Sequence, residues 1–470
     1  MVAQAVVDSV VYSKGKSFVV IFPRQSGKNE LQAQLETYLL TLLQNKDAEI
    51  VKISPTWKPQ SLNAMRRLER VMKKNTITRG RWSKEQGYIY KLDSARIFFF
   101  SGEPTANIVG ATASTLLEVD EAQDVLISKF DKDISPMAAS TNATRVFWGT
   151  AWTSQTLLAR EKRAALEAEE ADGERRVFEI NADIVGLEVP EYATYVKQEI
   201  EKHGRNNPFI KTQYFSEEID EIAGLFTPER LALLAGDHPP AFAPVSGCVY
   251  VFAIDVAGSD ENSMELGVAS STRDSTVLTI AEVELNEPIE GVSMPRFKIV
   301  NRRLWTGESQ VSLFRALAAL AQTWDPRWIV IDATGVGEGL ASFLGKTYPS
   351  KVIPFKFTAS SKSELGWKFI SLLETGRYKE YTYAESDHLL ELQEEFYRQC
   401  KFCTLEILPG PNKTIRWGVP DGTRDPASGE LVHDDLVLSA ALLAALEDQT
   451  FGTAESAVLP AFDPLKEMRF

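Results

Sequence analysis

Residues 17–29, SFVVIFPRQSGKN, set an apolar run directly before a Gly-Lys turn, and residues 115–124, TLLEVDEAQD, set a second apolar run before Asp-Glu. A strand that ends in a Gly-Lys loop presents backbone N–H groups and a lysine to phosphate oxygens. A strand that ends in Asp-Glu presents one carboxylate to magnesium and another to an attacking water. The two runs stand about ninety residues apart, the spacing of an α/β nucleotide-binding core. Neither run decides the matter alone. Together they point to an enzyme that binds ATP with Mg2+ and hydrolyses it.

Each residue of the pair of runs has an expected task. Gly27 allows the tight turn into a helix, and Lys28 reaches the β and γ phosphates. Gln25 and Ser26 complete the phosphate loop, and Asn29 takes the magnesium position where Ser or Thr is usual. Arg24, inside the loop, is a candidate arginine finger in cis. Asp120 is placed to contact magnesium and Glu121 to activate water, whereas Glu118, inside the strand, reads as structural. Gly149-Thr150-Ala151 ends the next apolar run and is a candidate γ-phosphate sensor.

Further apolar runs at 17–22, 49–53, 96–100, 115–119, 144–148 and 176–180 alternate with helical patterns at 29–43 and 59–71. That alternation predicts an α/β sheet, mostly parallel, with its phosphate loop beyond the carboxyl ends of the strands. The chain has 470 residues, more than one core accommodates. The expected division is a nucleotide-binding domain over 1–223, a proline-rich linker over 224–246, a second domain over 247–450 and a mobile tail over 451–470. The second domain opens as a run of strands, predicted to form a meander, and then alternates strand with helix.

Three acidic positions mark that second domain. Asp255 ends the strand VYVFAID, Asp332 ends WIVID, and Asp434 and Asp435 follow His433 at the start of an apolar helix. An aspartate at the end of a buried strand is costly unless paired or bound to a cation. Three apolar elements each presenting one suggest a shared two-metal site for Mg2+ or Mn2+, with Asp260 as an auxiliary ligand. Either of Asp434 and Asp435 can serve as the ligand, and either can simply cap the helix. Cys400 and Cys403 have metal-ligand spacing but no second cysteine pair, and read as structural.

Three cysteines fit a reducing compartment. No apolar run has the length of a membrane span, and the first residues lack a secretory pattern. The net charge of −14 excludes a generally basic coat. A local basic face suffices for phosphate contact, and 66–91, dense in Arg and Lys with Trp82, Tyr88 and Tyr90, is the candidate.

On these residues the chain resembles the large terminase subunit of tailed bacteriophages. PRQSGKN at 23–29 resembles the family's deviant phosphate loop, and 116–121 resembles its acidic strand. Gly149-Thr150-Ala151 resembles its coupling motif, and Gln4 stands at the place of its adenine-reading glutamine. Asp255, Asp332 with the Gly-Val-Gly turn, and His-Asp-Asp at 433–435 resemble its nuclease. The resemblance implies an N-terminal P-loop (RecA/ASCE-like) ATPase domain and a C-terminal RNase H-like nuclease domain. It implies a motor that translocates double-stranded DNA into a procapsid and cuts concatemers, working in the host cytoplasm. Its implied partners are a portal protein, a small terminase subunit and an oligomeric ring, with no membrane. Asn29 and the short N-terminus depart from the family pattern. The alternative is a helicase or another nucleic-acid-processing ATPase, because Asp-Glu-Ala-Gln at 120–123 resembles a helicase box.

Overall fold

The computed structural model describes residues 1–108, 110–219, 224–257, 275–285, 294–382, 387–408 and 413–451. They form two compact units. One comprises Met1–Leu234, Thr358–Gly376 and Tyr397–Asp434; the other comprises Ala235–Phe357, Arg377–Phe396 and the residues from Asp435 on.

The first unit opens with α1 (Val2–Val11), which the sequence reading did not anticipate, followed by β1 (Ser17–Ile21), α2 (Lys28–Leu42), β2 (Glu49–Ser54) and α3 (Leu62–Lys74). Next come β3 (Trp82–Glu85), β4 (Ile89–Leu92), β5 (Ala95–Ser101), β6 (Leu116–Val119), the short α4 (Ile127–Lys129) and β7 (Thr144–Gly149). After these lie α5 (Leu157–Asp172), β8 (Val177–Glu179), α6 (Ala182–Glu188), α7 (Pro190–His203), α8 (Pro208–Phe215) and α9 (Pro228–Leu233). Eight strands form one sheet in the order β3-β4-β5-β2-β6-β7-β1-β8. All neighbours from β5 to β8 are parallel; β3, β4 and β5 pair antiparallel.

The strands of this sheet read as continuous apolar runs because both faces are covered. Phe18, Val20, Ile50 and Trp148 enter the core on one face; Val19, Ile21, Val51 and Phe147 enter the core on the other. A parallel sheet brings the ends of β1, β6 and β7 to one edge, where the site is built.

The second unit's strands are β9 (Val249–Asp255), β10 (Ser275–Leu285), β11 (Pro295–Thr306), β12 (Trp328–Asp332), β13 (Val352–Phe355) and β14 (Tyr378–Lys379), with α10 (Gln310–Trp324) and α11 (Gly337–Thr347) between them. The sheet order is β13-β12-β9-β10-β11-β14. The first three strands form the expected antiparallel meander, and β12 and β13 run parallel to β9. The remaining elements are α12 (Ala359–Glu374), α13 (Asp387–Phe402), the hairpin of β15 (Thr404–Ile407) and β16 (Ile415–Gly418), and α14 (Asp435–Leu442).

Of the 224–246 stretch expected as a linker, 224–234 is packed in the first unit, 235–246 has no buried residue, and the two units divide between Leu234 and Ala235. The packed part contains α9 and buries Leu225, Phe226, Arg230 and Leu234. Arg230 Nε donates to Glu374 Oε1 at 2.6 Å, which ties α9 to α12. Pro228 starts α9, whereas Pro239, Pro240 and Pro244 lie in chain without helix or strand. The expected 247–450 domain is also divided, because α12 and the β15–β16 hairpin join the first unit. Of the expected tail, 452–470 lies outside the described residues, while Phe451 is buried with its ring 6.2 Å from that of Phe297. No helix among the described residues is long and apolar enough to cross a membrane.

Candidate functional site

The phosphate loop is shaped by its own backbone. Gly27 caps α2 in a left-handed conformation with φ 95°, which favours glycine, and its carbonyl accepts the N–H groups of Glu30 and Leu31. Ser26 Oγ donates to the Pro23 carbonyl at 2.6 Å. Arg24 N donates to the Gln213 carbonyl at 2.7 Å, and Tyr192 Oη donates to the Arg24 carbonyl at 2.7 Å. The loop is therefore held from α7 and α8 as well as from β1. The Arg24 guanidinium lies 5.9 Å from the Phe209 ring centroid.

The two motifs meet as the sequence spacing requires. Lys28 Nζ donates to Glu121 Oε1 at 2.6 Å and stands 3.8 Å from Asp120 Oδ1. Glu121 sits on a left-handed turn at φ 45°, so the chain reverses there and turns its carboxylate towards the loop. Asp120 is buried below the cavity wall. Burial opposes its ionisation, but Lys28, Lys52 and the amide of Gln32 outweigh it and hold the carboxyl below its ordinary value. Gln32 Nε2 donates to Asp120 Oδ1 at 2.9 Å, and Lys52 Nζ donates to Gln32 at 2.7 Å and to Glu36 at 2.6 Å. Lys52 and Gln32 thus fix the aspartate from behind. Sequence reading missed both, because a lone lysine in an apolar strand carries no motif. Glu118 lies inside the sheet and accepts the indole N–H of Trp148 at 3.0 Å.

Gln123 is a third residue that sequence reading left without a task. Its Nε2 donates to Glu121 Oε2 at 2.8 Å, and its Oε1 accepts the Thr150 N–H at 3.2 Å. The end of β7 is therefore wired to the acidic turn. Gly149 leaves room for this link, since a Cβ there would stand 2.3 Å from Gln123 Oε1 and displace it. Gln123→Ala is expected to lower ATP turnover by about tenfold, the cost of one hydrogen bond to a charged group. Nucleotide affinity should stay close to wild type, and parallel turnover and binding measurements check the split.

These groups open on a cavity of about 1650 Å³, larger than the roughly 300–1,000 Å³ of ordinary small-molecule sites. Arg24, Gln25, Ser26, Gly27, Lys28 and Asn29 line it, as do Glu121 and Thr150. Gly27 leaves open space beside the loop, so the donor set and the room both fit a nucleotide with its magnesium. Gln4 is not part of this wall. It is exposed on α1, where its amide donates to Asp8 at 2.8 Å.

In the second unit the topology brings Asp255, Asp332 and Asp435 to one end of the sheet. Ile331 pairs with Ile254 in parallel register, so the two strand-end aspartates follow side by side. Asp435 opens α14, which lies on β9 and β10; Ser439 Oγ donates to the Ala253 carbonyl at 2.9 Å, and Asp435 Oδ2 accepts the Ser275 N–H at 3.2 Å. Asp332 Oδ1 accepts the Thr334 N–H at 2.8 Å, while burial raises its pKa. Asp434 belongs to the first unit, where its Oδ2 accepts the Val419 N–H at 3.3 Å and stands 3.9 Å from Lys362. Asp260 lies outside the described residues.

Among the described residues, no three His, Cys, Asp or Glu side chains form a set able to hold a metal ion. The expected cluster is therefore brought to one sheet edge but not closed around a cation. Two of its carboxylates, Asp332 and Asp435, are engaged by backbone N–H groups instead. Cys400 and Cys403 are buried and not joined in a disulfide.

The expected basic face is largely paired. Arg67 and Arg70 meet Glu30 at 3.1 and 2.7 Å, Lys73 and Lys84 meet Glu69 at 3.6 and 3.0 Å, and Arg81 meets Asp93 at 2.7 Å. Exposed pairs of this kind are weak and exchange readily for other anions.

A parallel sheet that gathers a Gly-Lys loop, an Asp-Glu turn and a linked Thr at one edge is a P-loop, RecA/ASCE-like ATPase fold. The mixed second sheet with aspartates at one end is an RNase H-like fold, not the second ATPase lobe that a two-lobed helicase requires. Residues 254–402 match the family model described as the terminase RNase H-like domain. That match supports the resemblance to large terminase subunits of tailed bacteriophages.

No curated protein matches the chain. Among solved structures, the large terminase of a thermophilic bacteriophage is similar at 10% identity and a TM-score of 0.48, over 94% of this chain and 98% of that one. The large terminase of bacteriophage HK97 is similar at 12% identity and a TM-score of 0.37, over 94% of each chain. The large terminase nuclease of thermophilic phage G20c is similar at 15% identity and a TM-score of 0.33, over 47% of this chain and 97% of that one.

Proposed function

We propose that this chain is the ATPase and nuclease subunit of a viral DNA-packaging motor. The observation that carries the reading is the convergence of Lys28, Asp120 and Glu121 at one sheet edge, in a chain whose residues 254–402 match a terminase domain. Lys28 and the loop N–H groups bind the phosphates, and Glu121 orients and deprotonates the attacking water. A phosphate reaching the loop competes with Glu121 for the Lys28 ammonium, so binding frees the carboxylate that turnover needs. Asp120 and Asn29 would hold magnesium, which spreads the developing charge on the phosphoryl oxygens. Arg24 is placed to add a further positive charge there.

In the second unit, Asp255, Asp332 and Asp435 lie at one sheet edge without closing on a cation. Mg2+ or Mn2+ entering there would have to draw them together, and would then supply activation of water and support of the leaving oxygen in phosphodiester cleavage. The proposed substrate is double-stranded DNA, moved into a procapsid and cut from concatemers in the host cytoplasm. A portal protein, a small terminase subunit and a ring of copies are the proposed partners. The test is phosphate release and DNA cleavage by the full chain with linear duplex. ATP turnover should rise on adding DNA, and cleavage should require Mg2+ or Mn2+ and stop with chelator. Absence of ATP turnover, or cleavage that persists in chelator, would count against the assignment.

A further inference from the structure

Among the cations that line the cavity of Lys28 and Glu121 without belonging to either nucleotide motif, Lys413 is the one whose charge interacts with Glu121, Asp124, Arg24 and Lys28. Lys413 precedes β16, in the β15–β16 hairpin of the first unit. The hairpin is fixed on α12. Trp417 Nε1 donates to the Lys362 carbonyl at 2.7 Å, and Ile415 N donates to Ser363 Oγ at 2.9 Å. Gly366 admits this close approach, since a Cβ there would stand 2.3 Å from Trp417 Nε1. Lys413 is held at both ends. Its carbonyl accepts the Trp367 indole N–H at 3.0 Å, and its Nζ lies 4.6 Å from the Trp152 ring centroid. Trp152 follows the Gly149-Thr150-Ala151 segment, and Trp152, Thr150 and Lys413 all line the cavity.

The charges around Lys413 are those of the phosphate site. Asp124 and Glu121 attract its ammonium, and Arg24 and Lys28 repel it. Burial pushes Lys413 down to about 8, against the pull of the two acids, so it remains mostly charged at neutral pH. Burial likewise pushes Asp124 up to about 7, which weakens it as a permanent counter-charge. Arg24, Lys28 and Lys413 repel one another across the cavity, and a polyanion relieves that repulsion.

We propose that Lys413 is a second cation for the terminal phosphate of the bound nucleotide, delivered by a hairpin distant in sequence from the phosphate loop. The inference rests on the nucleotide reading of the cavity given above. It deepens that reading by naming what separates a triphosphate from a diphosphate. An ammonium in this place adds a charge-assisted hydrogen bond to an extra phosphate and none to a diphosphate lacking it.

The test is calorimetric binding of ATPγS and of ADP, each with Mg2+, to the full chain. Lys413→Ala should weaken ATPγS about tenfold, the worth of one charged hydrogen bond, and ADP less than about twofold. Lys413→Arg should restore the preference for ATPγS. A thermal melt of each variant separates this from misfolding. If Lys413 only neutralises Asp124 and stacks on Trp152, Lys413→Ala will weaken both nucleotides equally or neither, and the proposal fails. Lys28→Ala is the separate control: wild-type binding of both nucleotides by that variant would remove the nucleotide reading itself, whatever Lys413 does.

Discussion

Glu121→Gln should bind ATP as tightly as wild type and hydrolyse it roughly 10²–10⁴-fold more slowly, the usual contribution of a general base. Glutamine keeps the shape and can still meet Gln123 and Lys28, but it cannot accept the proton of the attacking water. Lys28→Ala should instead lose nucleotide binding, because it removes the ammonium that stands 2.6 Å from Glu121 and 3.8 Å from Asp120. It also strips a cation from a buried aspartate, a change that typically costs about 3–5 kcal/mol when a buried pair is broken. Lys52 and the Gln32 amide remain beside Asp120 and offset part of that loss. Binding by calorimetry and turnover by phosphate release distinguish the two variants. Wild-type turnover in Glu121→Gln would move the base elsewhere, with Asp124 the next carboxylate in the cavity.

The second large effect belongs to the aspartates of the second unit. Asp255→Asn removes one charge from the sheet edge without changing its shape. DNA cleavage should fall by about two orders of magnitude or more, as expected when a metal-held nucleophile or leaving group loses its support, while ATP hydrolysis continues. Asp435→Asn should behave the same way, because Asp435 opens the helix that lies on the Asp255 strand. Asp434→Asn should cut DNA close to the wild-type rate. Its carboxylate is engaged by Val419 N–H and Lys362 within the first unit. Cleavage assays with Mg2+ and Mn2+ on the three variants decide it. Loss of cutting in Asp434→Asn, with cutting retained in Asp435→Asn, would reverse the assignment.

The phosphate loop and the acidic turn were legible because their chemistry is local. A strand of consecutive apolar residues, a glycine at positive φ and a lysine at a helix start are properties of neighbouring residues. Parallel pairing then has few ways to place the two strand ends other than at one edge. The same holds for Asp255 and Asp332, each the last residue of an apolar strand. The choice between Asp434 and Asp435 was not legible. Adjacent residues of the same type differ only in which surroundings their side chains enter, and that follows from how β16 and α14 each pack within their own unit.

The amino-acid sequence by itself determined the α/β character of both halves, the two strand-end motifs and their order along the chain. Hydrophobic periodicity and turn chemistry act over a few residues and survive in any reading of the chain. Only the tertiary structure decided that Gln123 joins Glu121 to Thr150, that Lys52 and Gln32 support Asp120, that 224–234 is packed, and that Lys413 reaches the phosphate cavity. These are contacts between segments far apart in sequence. Their partners are selected by the packing of whole elements, and no spacing along the chain records it.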